Sequence, residues 1–122
     1  MKVFISAQIG SDIFLHNEMK FLLGLTRVNF KEVEGSYQGV KEKSFMVELD
    51  TEHTLDFFKA MGRWFKQDSI LFVNDLNQAV LIFMDNREVV NLGEMKEVSK
   101  EVAESSEAFT FIPETNTYLM AG

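Results

Sequence analysis

Tyr37 and Glu42 stand either side of a short turn in the stretch Glu34-Gly35-Ser36-Tyr37-Gln38-Gly39-Val40-Lys41-Glu42-Lys43-Ser44. If strands flank that turn, a tight hairpin puts both residues at one end of a sheet. An aromatic hydroxyl and a carboxylate then lie within reach of one bound molecule. A second polar feature is the Gln67-Asp68 pair, which follows Trp64-Phe65-Lys66 and precedes the apolar run Ser69-Ile70-Leu71-Phe72-Val73. A corner of this kind exposes backbone carbonyls that can line a pocket. Read alone, Tyr37 is an amphipathic packing residue, Glu42 a solvated charge and Asp68 an ordinary turn residue. The two histidines, His16 and His53, each sit beside acidic residues at an expected helix start. Both are expected to face solvent, and no metal site is assigned to them. Gly10 stands alone after the first apolar run, so neither a dinucleotide fingerprint nor a phosphate loop is present. No serine sits in a nucleophile elbow.

The elements that must carry these residues follow from periodicity. Val3, Ile5 and Ala7 alternate with Phe4 and Ser6, which predicts a strand with both faces partly buried. Ser11 and Asp12 are cap candidates for a helix in which Leu15, Met19, Leu22 and Leu23 keep helical spacing up to about Arg27. Gly24 weakens that helix by ~1 kcal/mol relative to alanine. Asn29 to Tyr37 reads as a strand and Ser44 to Leu49 as its hairpin partner. Asp50 or Thr51 is expected to cap a second helix, with Glu52 in its first turn. Leu55, Phe58, Met61 and Phe65 form its core face, widened by Phe57 and Trp64. Ser69 to Val73 is a buried strand, Asn74 to Asn77 a turn and Gln78 to Met84 a return strand. Short strands are expected near Val89-Val90, Phe109–Ile112 and Tyr118–Met120. The polar stretch Lys96–Glu107 stays open between a charged helix, an exposed strand pair and a mobile loop.

The first 73 residues therefore read β-α-β-β-α-β. The expected fold class is α+β and ferredoxin-like: an antiparallel sheet with two helices on one face, plus extra C-terminal strands. Twelve Phe and seven Met exceed what two short helices need. Either another subunit covers the open sheet face, or it forms a pocket, or these side chains simply fill the core.

Composition limits the function classes. The chain has 122 residues, which is one domain's worth, read as a single domain 1–122. There is no Cys, so no disulfide framework and no thiolate nucleophile. A formal net charge of -7 argues against nucleic acid and against an anionic membrane surface as partners. The N-terminal apolar run is too short for a signal peptide, and no run approaches the ~18 apolar residues of a membrane-spanning helix. A cytoplasmic location is the expectation.

Over most of its length the sequence resembles the phage S-adenosylmethionine-degrading enzymes, long described as hydrolases and better described as lyases. The resemblance rests on three short motifs in order. They are the first strand with its Ser6-Ala7 ending, Gly35-Ser36-Tyr37 followed by Glu42-Lys43-Ser44, and Trp64 with Gln67-Asp68-Ser69-Ile70-Leu71. The C-terminal third matches least. The resemblance implies a homotrimer with active sites between neighbours. It implies Tyr37 and Glu42 as catalytic residues, and Gln67, Asp68 and Ser44 as substrate-binding residues. It implies S-adenosylmethionine as the small-molecule substrate, no cofactor and no metal. The implied reaction is attack of the substrate's own carboxylate on its γ-carbon, giving methylthioadenosine and homoserine lactone, with an anti-restriction consequence in the host. Glu42 would hold the α-ammonium, Tyr37 the methionine moiety, and carbonyls near Gln67 and Asp68 the sulfonium. Phe30, Phe45 and Phe72 are candidates for adenine contact, with a core role the stronger reading.

Two other function classes fit the composition. One is a non-catalytic trimeric ferredoxin-like protein that binds or sequesters a nucleotide. Phosphates would call for clustered cations, whereas Arg27, Arg63 and Arg87 are well separated. The other is an acidic DNA mimic, for which -7 is modest and the lysines too interspersed.

Overall fold

A computed structural model describes residues 1–8 and 12–122. Gly10 and the cap candidate Ser11 lie outside the described residues. The elements are β1 (Lys2–Ile5), α1 (Phe14–Thr26), β2 (Phe30–Tyr37), β3 (Val40–Glu48), α2 (Leu55–Trp64), β4 (Ser69–Val73), β5 (Gln78–Phe83), β6 (Val89–Val98), α3 (Lys100–Glu104), β7 (Ala108–Ile112) and β8 (Thr117–Ala121).

The strands form a closed barrel in the order β1-β3-β2-β7-β8-β6-β5-β4, with each neighbouring pair antiparallel. This overturns the expected open ferredoxin-like sheet. The order β-α-β-β-α-β is present through residue 73, and β4, β1, β3 and β2 are neighbours in that order. The C-terminal strands are not additions to an open sheet, however. They continue it from both edges until it closes, so both edge strands gain partners. The face expected to lie open is the barrel interior. Phe4, Val33, Met46, Val73, Ala79 and Ile112 are buried there, with Leu71, Leu92, Met95 and Leu119 packed against them. The apolar side chains of that face are thus covered within the chain, while Phe14 and Phe21 on α1 stay exposed.

The outer face of β1, β3, β4 and β5 carries the second core. Val3, Ile5, Phe45, Val47, Ile70 and Ile82 pack beneath Met19 and Leu23 of α1 and Phe58 of α2. Phe30 and Phe72 join this core half-buried, and Phe45 is fully buried in it. All three adenine-contact candidates therefore pack in the core under the helices, Phe30 and Phe72 with part of their surface exposed. Trp64, expected on the core face, is 79% exposed, and Leu22 is also exposed. Phe45 stacks on His16 (4.4 Å, interplanar angle 8°) and meets Phe30 edge-on at 5.8 Å.

Local chemistry moved two boundaries. Asp50 does not cap α2; its Oδ1 accepts from the N–H groups of Glu52 (2.9 Å) and His53 (2.5 Å) in a turn ahead of the helix. Those bonds hold the Asp50 carboxyl below the usual aspartate range, the backbone N–H of His53 contributing most. The helix starts four residues later, after Thr54, with Asp56 rather than Glu52 in its first turn. The stretch Lys96–Glu107 resolves into the end of β6 and the short helix α3, whose N-cap Ser99 accepts from Val102 N–H. At the β5–β6 pairing the register shifts between Ala79 and Val80. Gly93 sits there at φ 91°, where a Cβ would come within 3.2 Å of the Gly122 backbone.

Candidate active site

The β2–β3 hairpin closes through the two-residue loop Gln38-Gly39, both at positive φ (49° and 82°). Positive φ at both loop positions matches the twist of the flanking strands. Gln38 is tied down further: its N–H and its side-chain amide reach the Glu107 carbonyl and carboxylate, each at 2.7 Å. In this register Tyr37 lies opposite Val40 and Gly35 opposite Glu42. Residues on one face of a strand recur every second position. Tyr37 and Glu42 therefore share a face and are diagonal neighbours, about 7–8 Å apart along the sheet and somewhat less between Cβ atoms. That face is the inner one, since Val33, two residues before Gly35, is buried in the barrel interior.

Gly35 gives this corner its shape. It stands between Val33 and Tyr37 and puts no side chain opposite Glu42. The nearest atom to a Cβ built there is the Glu42 carbonyl, at an ordinary 3.7 Å. The result is a gap at the barrel rim, walled by a Tyr37 ring that is 58% exposed and a half-buried Glu42. Among the described residues, the Glu42 carboxylate has no hydrogen bond or ion pair.

Ser44 shares the inner face, but its hydroxyl donates to the Ile5 carbonyl at 2.9 Å. It offers a ligand only oxygen lone pairs. Gln67 and Asp68 lie at the same end of the sheet, on the far side of β1. β1 pairs with β3 on one side and β4 on the other, so β3 and β4 are two strand spacings apart, about 10 Å. The corner is shaped by the end of α2. Lys66 takes a left-handed φ of 56°, its N–H reaches the Arg63 carbonyl, and the Gln67 N–H reaches the Gly62 carbonyl. This is a Schellman ending with lysine where glycine is usual. Its carbonyls are less free than expected: that of Asp68 accepts from Met84 N–H at 2.9 Å, and that of Phe65 from the Gln67 amide at 3.3 Å.

The histidines differ from expectation. His16 is 2% exposed, and its Nε2 lies 2.9 Å from Glu32 Oε1. The spacing of His16, Met19 and Leu23 on one helix face could have shown this. Lys20 Nζ approaches the other carboxylate oxygen at 3.1 Å. The bond to His16, with Lys20 adding to it, lowers the Glu32 carboxyl below its ordinary value. A carboxyl depressed in the folded state stabilises the fold above its unfolded value, and that contribution fades as pH falls through the folded value. Glu32→Gln should therefore cost stability at neutral pH, and the difference from wild type should shrink below about pH 4.3. Urea titrations at pH 7, 5 and 3 measure this; a constant difference would refute it. His53 precedes α2, with Nδ1 3.1 Å from Asp50 Oδ1 and its ring edge-on to Phe57. No group of three or more potential metal ligands occurs among the described residues.

Two clefts lie elsewhere. One, of about 280 Å³, opens at the other end of β1, between Lys2, Phe4, Val73, Met95 and Glu97. The other, of about 470 Å³, runs between α1 and the end of α2, walled by Phe14, Phe21, Leu22 and Trp64.

The sequence model of the S-adenosylmethionine lyase family matches residues 9–121. The chain belongs to the S-adenosylmethionine lyase family. The match takes in the hairpin, the Gln67-Asp68 corner and the C-terminal strands that close the barrel. A search of curated proteins found no match. Membership makes this lyase-family chain an enzyme whose substrate is S-adenosylmethionine. Among its described residues, no helix is long and apolar enough to cross a membrane.

Proposed function

We propose that the chain cleaves S-adenosylmethionine by attack of the substrate carboxylate on its own γ-carbon, at the rim between Tyr37 and Glu42. A C–O bond forms, the C–S bond breaks, and its electron pair returns to the sulfonium. The products are methylthioadenosine and homoserine lactone, and no proton moves. The observation that carries this reading is the Glu42 carboxylate, unpaired among the described residues, beside the Gly35 gap and diagonal to Tyr37. A carboxylate there binds the α-ammonium and leaves the substrate carboxylate free to turn toward the γ-carbon. Tyr37 packs along the methionine chain. Gln67, Asp68 and Ser44 would contact the substrate from the β1 side. For Asp68 and Ser44, that contact is through lone pairs their present bonds leave free.

Opposite charges cancel along this path. A weakly polar, water-poor site therefore favours the transition state over the zwitterionic ground state. With Tyr37 more than half exposed, the rim of one chain does not exclude water. This supports a homotrimer with each site completed by a neighbour. The exposed Phe14, Phe21, Leu25 and Trp64 supply apolar surface of the kind association uses. Depletion of S-adenosylmethionine in a host cytoplasm would starve restriction and methylation systems, giving the anti-restriction role.

The test is incubation of purified protein with S-adenosylmethionine, followed by chromatography. Methylthioadenosine and a lactone that precedes homoserine are expected, and sedimentation equilibrium is expected to give a trimer. In ¹⁸O-water, label in the homoserine hydroxyl would instead mean direct hydrolysis. A folded trimer that forms no methylthioadenosine would leave the non-catalytic nucleotide-binding reading.

A further inference from the structure

We propose that Gln8 is a positioning residue for Glu42, an inference that rests on the reading of Glu42 as the ammonium-binding group. The β1–β3 backbone ladder runs from Lys2↔Glu48 to Ile5↔Phe45. Beyond Ile5, side chains continue it. Ser44 Oγ donates to the Ile5 carbonyl at 2.9 Å, and Ser6 Oγ donates to the Lys43 carbonyl at 2.9 Å. The Gln8 N–H donates to Ser6 Oγ at 3.3 Å, and Gln8 Oε1 accepts from the Lys43 N–H at 2.7 Å. Both backbone polar groups of Lys43, the residue after Glu42, are thus held by side chains from the end of β1.

On its other side β3 is held by β2, through Glu34↔Lys43 and Gly35↔Glu42. Gly35 offers no side chain to steady Glu42, and the Glu42 carboxylate has no partner of its own among the described residues. The direction of Glu42 is therefore set by its backbone. The Gln8 amide is the clamp nearest that backbone on the β1 side. Backbone groups at this edge can turn to water if the clamp is lost, so removing it costs little stability. What it costs is the aim of the carboxylate.

The test is a double-mutant cycle on methylthioadenosine formation. Gln8→Ala should lower kcat/KM by about tenfold, less than the ~100-fold that a full 1 Å misplacement can cost. Gln8→Leu, similar in size but without an acceptor, should match it. Gln8→Glu, which keeps an oxygen at the Oε1 position, should recover most of the activity. In a Glu42→Gln background, Gln8→Ala should cost little more, because the group it aims is already gone. Thermal unfolding should stay near wild type in all five variants, the double variant included. Independent, multiplicative losses would overturn the proposal, as would full activity in Gln8→Ala beside an impaired Glu42→Gln. Full activity in Glu42→Gln is the distinct result that overturns the reading of Glu42, and the Gln8 inference with it.

Discussion

Glu42→Gln is expected to lower kcat/KM by about 10- to 100-fold while leaving the fold intact. The size follows from the interaction removed: a hydrogen bond to a charged group contributes about 1.5–3 kcal/mol, and each ~1.4 kcal/mol is tenfold. Half-burial of Glu42 places the effect toward the lower end, since water screens part of the attraction. Fold stability should barely move. Among the described residues the carboxylate makes no bond that the amide would break, and the two side chains are nearly isosteric. Part of the loss should fall on kcat. Without Glu42, the substrate ammonium turns back to the substrate's own carboxylate and holds the nucleophile away from the γ-carbon. Steady-state kinetics with unfolding curves on the same samples decide it: unchanged kcat/KM in a folded variant removes Glu42 from the site.

Phe45→Ala should have the largest effect on stability, a loss of about 3–5 kcal/mol. Native domains have roughly 5–15 kcal/mol in all, so this variant would sit near the edge of folding. Phe45 is fully buried in the middle of β3, facing α1. Its ring lies flat against His16 and is met edge-on by Phe30. Truncation opens a cavity beneath α1 and removes the surface that holds His16 against Glu32. The neighbours cannot collapse inward, because β3 is paired on both sides. Leu76→Ala at an exposed turn position is the control, with a change within about 0.5 kcal/mol. Urea denaturation measures both. Equal midpoints for wild type and Phe45→Ala would show that the ring is not a core element and would reopen its reading as an adenine contact.

The hairpin site was legible because it is local. Gly39 after Gln38 marks the turn, strand alternation marks the faces, and together they put Tyr37 and Glu42 at one end. The Gln67-Asp68 corner was legible for the same reason, as a break between a helical period and an apolar run. What the corner's carbonyls do was not, because their partners are remote: Asp68 bonds to Met84 across a strand pair. His16 was misplaced because two neighbouring acids suggested solvent, while the decisive carboxylate, Glu32, is sixteen residues away. The β1–β3 clamp was invisible too, since Gln8 and Lys43 are separated by thirty-five positions.

The sequence by itself determined the order of strands and helices through residue 73, the turn that brings Tyr37 beside Glu42, and the family resemblance those motifs carry. These are consequences of backbone preference and side-chain period, which act over a few residues. Only the tertiary structure decided that the sheet closes. An open sheet and a barrel use the same alternating strands, and the difference lies in whether β2 finds β7 and β4 continues through β5 and β6 to β8. That choice rests on apolar burial between segments far apart in the chain: Val33 and Phe4 against Ile112, Leu119 and Met95. Burial of this kind depends on surface removed from water and not on sequence spacing, so no local pattern records it.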